Sequence, residues 1–297
     1  MDYVLQTDRL TKQYGNALVV NEVSMHVRQG SIYGFIGKNG AGKTTFMRMA
    51  AGLAKPTAGS MRLFGSKELE KQRVRIGSLI ESPGVFGGMS AYDNLEIVRR
   101  SLGITQKGKI EEMLALTGLS DAGKKKVKNF SMGMKQRLGI AISLIRNPDF
   151  LILDEPINGL DPSGIKEMRD LLVKLNRENQ ITILVSSHIL GELSKIATHY
   201  GIIQDGRLME EFGADELETR CRRCLKLVVE DAKKAAFVLE NKLFIHNYDV
   251  PGKDTLRIFE GLEDTCKINR VLVENGVELA QSYLAGQDLE GYFMELM

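Results

Sequence analysis

A glycine-rich stretch near the N-terminus places the strongest constraint on the fold of this chain. Residues 31–36 form a short apolar run typical of a buried strand, and residues 43–53 have a helical pattern. Between them lies Gly37-Lys38-Asn39-Gly40-Ala41-Gly42-Lys43-Thr44, which fits the pattern of a phosphate-binding loop. Glycines let successive backbone N–H groups surround phosphate oxygens, and the positive end of the following helix attracts the same anion. The sequence therefore predicts a strand–loop–helix unit that binds nucleotide phosphates.

Individual positions in this loop have roles that follow from their chemistry. We expect Lys43 to reach the β and γ phosphates and the Thr44 hydroxyl to bind Mg²⁺. A glycine-rich turn without a ligand is the alternative, which the strand before the loop and the helix after it disfavour. The residues predicted to bind the nucleotide in this loop are Gly37, Asn39, Gly40, Ala41, Gly42, Lys43, Thr44 and Thr45.

Two carboxylates end a second apolar run, residues 150–153. We predict that Asp154 holds Mg²⁺ through its water shell, because this ion keeps several waters and takes few protein carboxylates. Glu155 would then polarise the attacking water, a role that requires a hydrogen-bond acceptor near the γ phosphate. In isolation the two residues could equally cap the next segment, but the preceding phosphate loop favours the roles in metal binding and catalysis.

The order of apolar runs and helical stretches predicts an α/β fold. A third apolar run, residues 181–185, ends in Ser186, Ser187 and His188. Strands separated by helices indicate a mostly parallel sheet whose polar residues gather at the carboxyl ends of the strands. The short β-rich runs before residue 30 predict an antiparallel part, and residues 90–147 predict a helical subdomain. We expect a P-loop NTPase domain with a mixed sheet over residues 1–217.

The remaining residues, 218–297, predict a small C-terminal accessory domain of the α+β class. The order of its elements is βαββαβ, the ferredoxin-like arrangement. A final amphipathic helix is expected over residues 288–297, and no motif in this domain indicates a chemical role. The predicted strands cover residues 225–230, 246–250, 255–260 and 277–282, and the predicted helices cover residues 231–242 and 263–275.

Composition limits the classes of partner. Lys and Arg total 40 against 38 for Asp and Glu, so the chain lacks the basic surplus that would predict a nucleic-acid partner. Three cysteines, an odd number near the C-terminus, do not suggest a disulfide framework and favour a reducing compartment. We expect neither a signal peptide nor a membrane span, since the sequence has no run of about 18 apolar residues. If a membrane is involved, another chain supplies the span.

The phosphate loop, the carboxylate pair, residues 129–137 and His188 together resemble the ATP-binding cassette (ABC) family, over about residues 2–215. In that family a signature sequence stands across a dimer interface and contacts the partner's nucleotide. The resemblance implies that Ser131 and Gly133 are the signature residues that contact a γ phosphate. Met132 and Met134 depart from the common glycine and glutamine.

The same resemblance implies further site residues. Tyr14 matches the aromatic residue that stacks on adenine, with a buried structural tyrosine as the alternative. Glu81 stands where the family usually has a glutamine that contacts Mg²⁺ or water, and a glutamate there resembles the bacitracin-exporter and lantibiotic-immunity branch. The alternative is that Glu81 is an exposed acid in a loop. Asp161 lies in a stretch that matches the family's loop linking the two nucleotide sites of a dimer. His188 would hydrogen-bond the γ phosphate and orient the attacking water.

These patterns predict a subunit that binds Mg-ATP and hydrolyses it on the inner face of the cell membrane. By the same resemblance, one cassette per chain implies a dimer, either with itself or with a related chain. We expect this dimer to drive export of a peptide antibiotic, a lantibiotic or a related drug through a separate transmembrane permease. Two alternatives stay open. One is a soluble ABC ATPase that acts on ribosomes or DNA ends, and the other is a regulatory nucleotide sensor with an inactive site.

Overall fold

The computed structural model of the chain describes residues 2–188, 190–221 and 223–285. These residues divide into two compact units, one up to residue 214 and one from residue 215 onward. The sequence placed the division between residues 217 and 218. Within the described ranges, no helix has the length and apolar character needed to cross a membrane.

The strands and helices of the first unit follow the predicted α/β pattern. Its strands, in chain order, are β1 (Tyr3–Tyr14), β2 (Ala17–Val23), β3 (His26–Arg28), β4 (Ile32–Ile36), β5 (Ala58–Leu63), β6 (Ile76–Leu79), β7 (Phe150–Leu153), β8 (Thr182–Ser187), β9 (His199–Gln204) and β10 (Arg207–Gly213). Its helices are α1 (Lys43–Ala51), α2 (Leu69–Arg73), α3 (Ala91–Ser101), α4 (Lys109–Leu116), α5 (Met132–Leu144), α6 (Pro162–Arg177) and α7 (Leu190–Leu193).

Two sheets form the framework of this unit. In the first, β1 pairs antiparallel with β2, β3 and β5. The second has the strand order β10-β9-β4-β8-β7-β6, in which all neighbours are parallel except the pair β9 and β10. Every residue of β4, β7 and β8 is buried, as expected for parallel strands that have both faces covered. The predicted mixed sheet is therefore confirmed.

The register of the parallel strands sets the position of the functional residues. Ile36 at the end of β4 lies opposite Ser187 of β8, and Leu153 at the end of β7 lies opposite Val185. The carboxyl ends of β4, β7 and β8 are therefore neighbours along one edge of the sheet. This edge carries the residues that follow each strand, as expected for an α/β fold.

The stretch between β6 and β7 contains α3, α4 and α5. Ser90 caps α3 in a capping box, because its hydroxyl accepts a hydrogen bond from the backbone N–H of Asp93 while the Asp93 carboxylate accepts one from the Ser90 N–H. Helix α5 packs closely on the segment after β6, since a Cβ built at Gly139 would lie 2.9 Å from both Leu79 and Pro83. A larger residue at position 139 would push this helix from the sheet.

The elements of the second unit are α8 (Ala214–Cys221), β11 (Cys224–Val229), α9 (Ala232–Val238), β12 (Tyr248–Asp249), β13 (Thr255–Ile258), α10 (Thr265–Glu274) and β14 (Leu279–Ala285). Its strands form one antiparallel sheet with the order β12-β13-β11-β14. The element order βαββαβ matches the prediction, and the strand order supports the ferredoxin-like assignment, which stays a prediction. The helix expected over residues 231–242 is shorter, because it passes into a π-helical turn at Leu239–Leu243. The helix expected over residues 288–297 lies outside the described residues.

Replacement of Ser90 by alanine should destabilise the first unit by about 1 kcal/mol, because an N-terminal N–H group of α3 then loses its acceptor. Hydrogen bonding from Ser90 lowers the pKa of Asp93 below its ordinary value of 3.8. Because the pKa of Asp93 is lower in the folded state, its ionised carboxylate stabilises the folded protein when the pH is above the ordinary pKa. This contribution is lost as the pH falls through the lowered folded-state pKa. Urea unfolding at pH 7 measures the change, with Ser101→Ala as the control. An effect no larger than the control's would contradict the capping role.

Candidate active site

The phosphate loop joins the end of β4 to the start of α1. Gly40 and Gly42 have φ angles of 85° and 105°, which residues with a side chain seldom adopt. At Gly42 a Cβ would also lie 2.6 Å from the carbonyl oxygen of Val19. Gly42 starts α1 without a side-chain cap among the described residues, so the first N–H groups of the helix are left for an anion.

The turn between β9 and β10 supports this loop from behind. The backbone N–H of Gly206 donates to the carbonyl oxygen of Ala41 at 3.0 Å. Gly37 lies so close to the carbonyl oxygen of Ile203 that a Cβ at position 37 would collide with it. A cavity opens beside the loop, and its lining residues are Lys38, Asn39, Gly40, Ala41, Ile203, Gln204 and Asp205.

Lys43 lies inside the curve of the loop and is 5% exposed. Its ammonium group donates to the carbonyl oxygens of Gly37 at 2.5 Å and Lys38 at 3.2 Å. It also lies 3.3 Å from Oε1 of Glu155. A buried charge requires partners, and these three oxygen atoms supply them for the Lys43 ammonium group. They hold it inside the loop, where it can bind a phosphate group.

Asp154 is held by hydroxyl groups from two different elements. Thr44 of α1 donates to Oδ2 of Asp154 at 2.6 Å, and Ser186 of β8 donates to Oδ1 at 2.6 Å. The Thr44 hydroxyl and the Asp154 carboxylate therefore stand together as oxygen ligands. Such a pair fits Mg²⁺, which takes one or two carboxylates and completes its shell with waters and phosphate oxygens.

Ser186 is the site residue to which the sequence assigned no role. It is fully buried, and its hydroxyl also accepts a hydrogen bond from the backbone N–H of Glu155 at 2.9 Å. One side chain thus contacts both the carboxylate of Asp154 and the backbone of Glu155. The signal was available in the strand pairing, because the register that sets Leu153 opposite Val185 brings the next residue of each strand together.

Glu155 and His188 form a second pair at the same edge of the sheet. Nδ1 of His188 lies 2.8 Å from Oε2 of Glu155. The other oxygen, Oε1, is buried and accepts no hydrogen bond of acceptable geometry from the described residues, although Lys43 lies near it. A buried acceptor normally has a partner, so this oxygen fits a water molecule of a loaded site.

Glu81 bonds to Arg48 of α1 rather than to Thr44 or Asp154 among the described residues. Nη2 of Arg48 donates to Oε1 of Glu81 at 2.6 Å. The side chains of Arg48 and Glu81 are 39% and 58% exposed. Of the three predicted metal ligands, the structure therefore brings Thr44 and Asp154 together. It places the third, Glu81, in an ion pair beside α1.

Tyr14 ends β1 and is 48% exposed, which argues against a buried structural tyrosine. The ammonium group of Lys12 lies 4.7 Å from the centre of its ring. An exposed aromatic ring of this kind is suited to stacking on a base.

Ser131, Gly133 and Asp161 lie at the N-terminal ends of two helices. Ser131 caps α5 by accepting from the backbone N–H of Met134 at 3.3 Å, and Asp161 caps α6 by accepting from that of Gly164 at 3.3 Å. Gly133 belongs to the first turn of α5. Both capping side chains are exposed, so each is accessible to a group outside this chain.

Ser186→Ala should lower kcat for ATP hydrolysis by about ten- to a hundredfold, because Asp154 and the Glu155 N–H both lose a buried partner. KM for ATP should change little, since Ser186 contacts the Asp154 carboxylate and the Glu155 backbone and not the phosphate loop. Steady-state kinetics test this, with Ser143→Ala, which removes a hydroxyl bonded within α5, as the control. A change confined to KM would contradict the positioning role.

Comparisons with known proteins identify the family to which this chain is similar. A family model described as "ABC transporter" matches residues 20–158. The bacitracin transport ATP-binding protein BcrA of Bacillus licheniformis is 44% identical over 300 residues, covering 100% of this chain and 98% of that protein. The lantibiotic transport ATP-binding protein SrtF of Streptococcus pyogenes is 44% identical over 219 residues, covering 72% of this chain and 94% of that protein.

Solved structures agree on the fold. The structure of cbiO1 from Clostridium perfringens, described as part of the ABC transporter complex cbiONQ, aligns with a TM-score of 0.67 at 24% identity. The alignment covers 82% of this chain and 96% of that one.

Proposed function

Because this chain belongs to the ABC transporter family, we propose that it is the subunit that hydrolyses Mg-ATP to power export through a separate membrane permease. The observation that carries this proposal is the convergence of its polar side chains at one edge of the parallel sheet. Thr44, Asp154 and Ser186 are joined by hydrogen bonds of 2.6 Å, and His188 bonds to Glu155 at 2.8 Å. An inactive nucleotide sensor would have no need of this arrangement.

Each residue of the site has a separate role in binding or hydrolysing ATP. Lys43 and the N–H groups at the start of α1 bind phosphate, and Thr44 with Asp154 would hold Mg²⁺, which neutralises phosphate charge when it is bound. Glu155 would accept a hydrogen bond from the attacking water through Oε1, the oxygen that accepts no hydrogen bond from the described residues. His188, on the other oxygen of Glu155, fixes the orientation of that carboxylate. A fixed acceptor of this kind typically contributes about a hundredfold or more to a rate.

We propose that two cassettes act together, as two copies of this chain or as this chain with a related one. Exposed cap residues support the proposal, since Ser131 and Asp161 lie at helix N-terminal ends that can face a nucleotide bound to a partner. Tyr14, at the end of β1, would stack on the adenine of the nucleotide in its own loop. No nucleic acid is required by any of these roles.

We further propose that the permease docks near Glu81 and α3, on the cytoplasmic face of the membrane. Three large apolar side chains are exposed there: Phe86 at 59%, Met89 at 42% and Tyr92 at 38%. Clusters of exposed apolar side chains on a soluble surface commonly mark interaction sites. The same segment begins at Glu81, so a partner that moves it would act on α1 through the ion pair of Glu81 with Arg48.

A peptide antibiotic of the bacitracin type is the substrate that the relatives favour. The alignment with the bacitracin transport protein spans the whole chain, whereas the alignment with the lantibiotic transport protein spans 219 residues, close to the length of the first unit. The second unit is thus shared with the bacitracin-type relative. Action on ribosomes or DNA ends has no support from these relatives.

Glu155→Gln should reduce steady ATP turnover at least about a hundredfold while ATP binding is retained, because the amide keeps the shape of the side chain but is a weaker base. Phosphate release and equilibrium binding of a fluorescent ATP analogue measure the two properties. Glu111→Gln, at an exposed position of α4, serves as the control. Turnover that is unaffected by Glu155→Gln would refute the assignment of the base.

The Glu155→Gln protein, loaded with Mg-ATP in membranes of its source organism, should copurify with a protein that has several membrane spans. Slow turnover prolongs the ATP-bound state and so preserves the complex. Mass spectrometry identifies the partner, and the same purification with Lys43→Ala, which should lose the nucleotide, is the control. Recovery of ribosomal or DNA-repair proteins without a permease would refute the transport role and leave the ATPase assignment intact.

A further inference from the structure

The ion pair between Arg48 and Glu81 lies one helical turn from the predicted metal site. Thr44 and Arg48 are four residues apart on α1, so their side chains lie on the same face of this helix. Thr44 bonds to Asp154, and Arg48 bonds to Glu81 at 2.6 Å. The carboxylate of Glu81 is thereby held beside α1, next to the turn that carries the Thr44 hydroxyl.

The charge of Glu81 adds to the negative charge already present near this position. The site already contains the carboxylates of Asp154 and Glu155, and it must receive a triphosphate. A further carboxylate repels phosphate and attracts a divalent cation. The guanidinium group of Arg48 balances that charge when no metal is bound.

Arg48 is well placed to fix its partner. Its backbone carbonyl oxygen accepts from the N–H groups of Leu53 and Ala54 at 2.8 and 3.2 Å, so its backbone is anchored at the end of α1. Glu81 has a φ angle of 66°, in the left-handed region that glycine prefers. The position of this strained residue therefore depends on contacts such as the one from Arg48.

We propose that Arg48 is a positioning residue that competes with the divalent cation for the carboxylate of Glu81. This inference rests on the proposed function, because it requires a metal–nucleotide complex in the site. In the metal-free protein Arg48 holds Glu81 at the surface of α1. When the cation arrives, Glu81 exchanges part of its interaction with Arg48 for the cation, so Arg48 sets how tightly the cation is bound.

The expected effect is modest because both side chains are partly exposed. Ion pairs of this exposure are screened by water, and the loss of one typically changes an equilibrium by about two- to fivefold. We therefore expect Arg48→Met to tighten the binding of a divalent cation by that factor. In a background with Glu81→Gln the same substitution should have a smaller effect, because no carboxylate is released.

Electron paramagnetic resonance of Mn²⁺, titrated into the full-length chain with a non-hydrolysable ATP analogue, measures this affinity without catalysis. The set comprises the unchanged protein, Arg48→Met, Glu81→Gln and the double variant. The control is Arg100→Met, which removes the arginine of another exposed ion pair in the same unit. Circular dichroism melting verifies that each variant is folded.

The change in Mn²⁺ affinity on Arg48→Met, compared with and without the Glu81 carboxylate, tests the competition. Tighter binding in Arg48→Met, together with a smaller change between Glu81→Gln and the double variant, supports the competition. An equal change in both backgrounds, or no change in either, overturns it, since Arg48 would then act through its own charge or not at all. Failure of the unchanged protein to bind the Mn²⁺–nucleotide complex would overturn the proposed function as well, whereas normal binding with no response to Arg48→Met overturns this inference alone.

Discussion

The parallel pairing of β4, β8 and β7 is the constraint on which the rest of the site depends. Because these strands are buried on both faces and run in the same direction, the residues that follow them meet at one edge. Lys43, Asp154 and His188 are widely separated in the sequence, yet the sheet brings all three to that edge. A shift of one strand by a single residue would reverse the faces of its side chains and separate the two carboxylates from Thr44.

The parts of this site that could be predicted are those whose signal is local. The phosphate loop needs glycines at fixed spacing before a helix, and the metal carboxylate needs an apolar strand before it, so both can be read from short stretches. Ser186 depends on pairing between strands that are more than thirty residues apart. Its role follows only after the register of the sheet is known, although its place at the end of an apolar run was visible.

The partner of Glu81 could not be predicted from the sequence, for a different reason. The family pattern gives its position, but its partner depends on the conformation of an irregular segment and on which residue of α1 faces it. A pairing of this kind leaves no pattern of spacing in the sequence. The π-helical turn at Leu239–Leu243 is similar, since the periodicity of the preceding helix continues through it. The predicted order of elements in the second unit is observed because each element there has its own apolar period.

The exposed ring of Tyr14 has a practical consequence for spectroscopy. The chain contains no tryptophan, so its intrinsic fluorescence comes from tyrosine alone. An indole introduced by Tyr14→Trp would be the sole emitter excited at long wavelength, at the exposed end of β1. Its emission would respond to the polarity and stacking at that position, which makes the arrival of a base visible in real time without a chemical label.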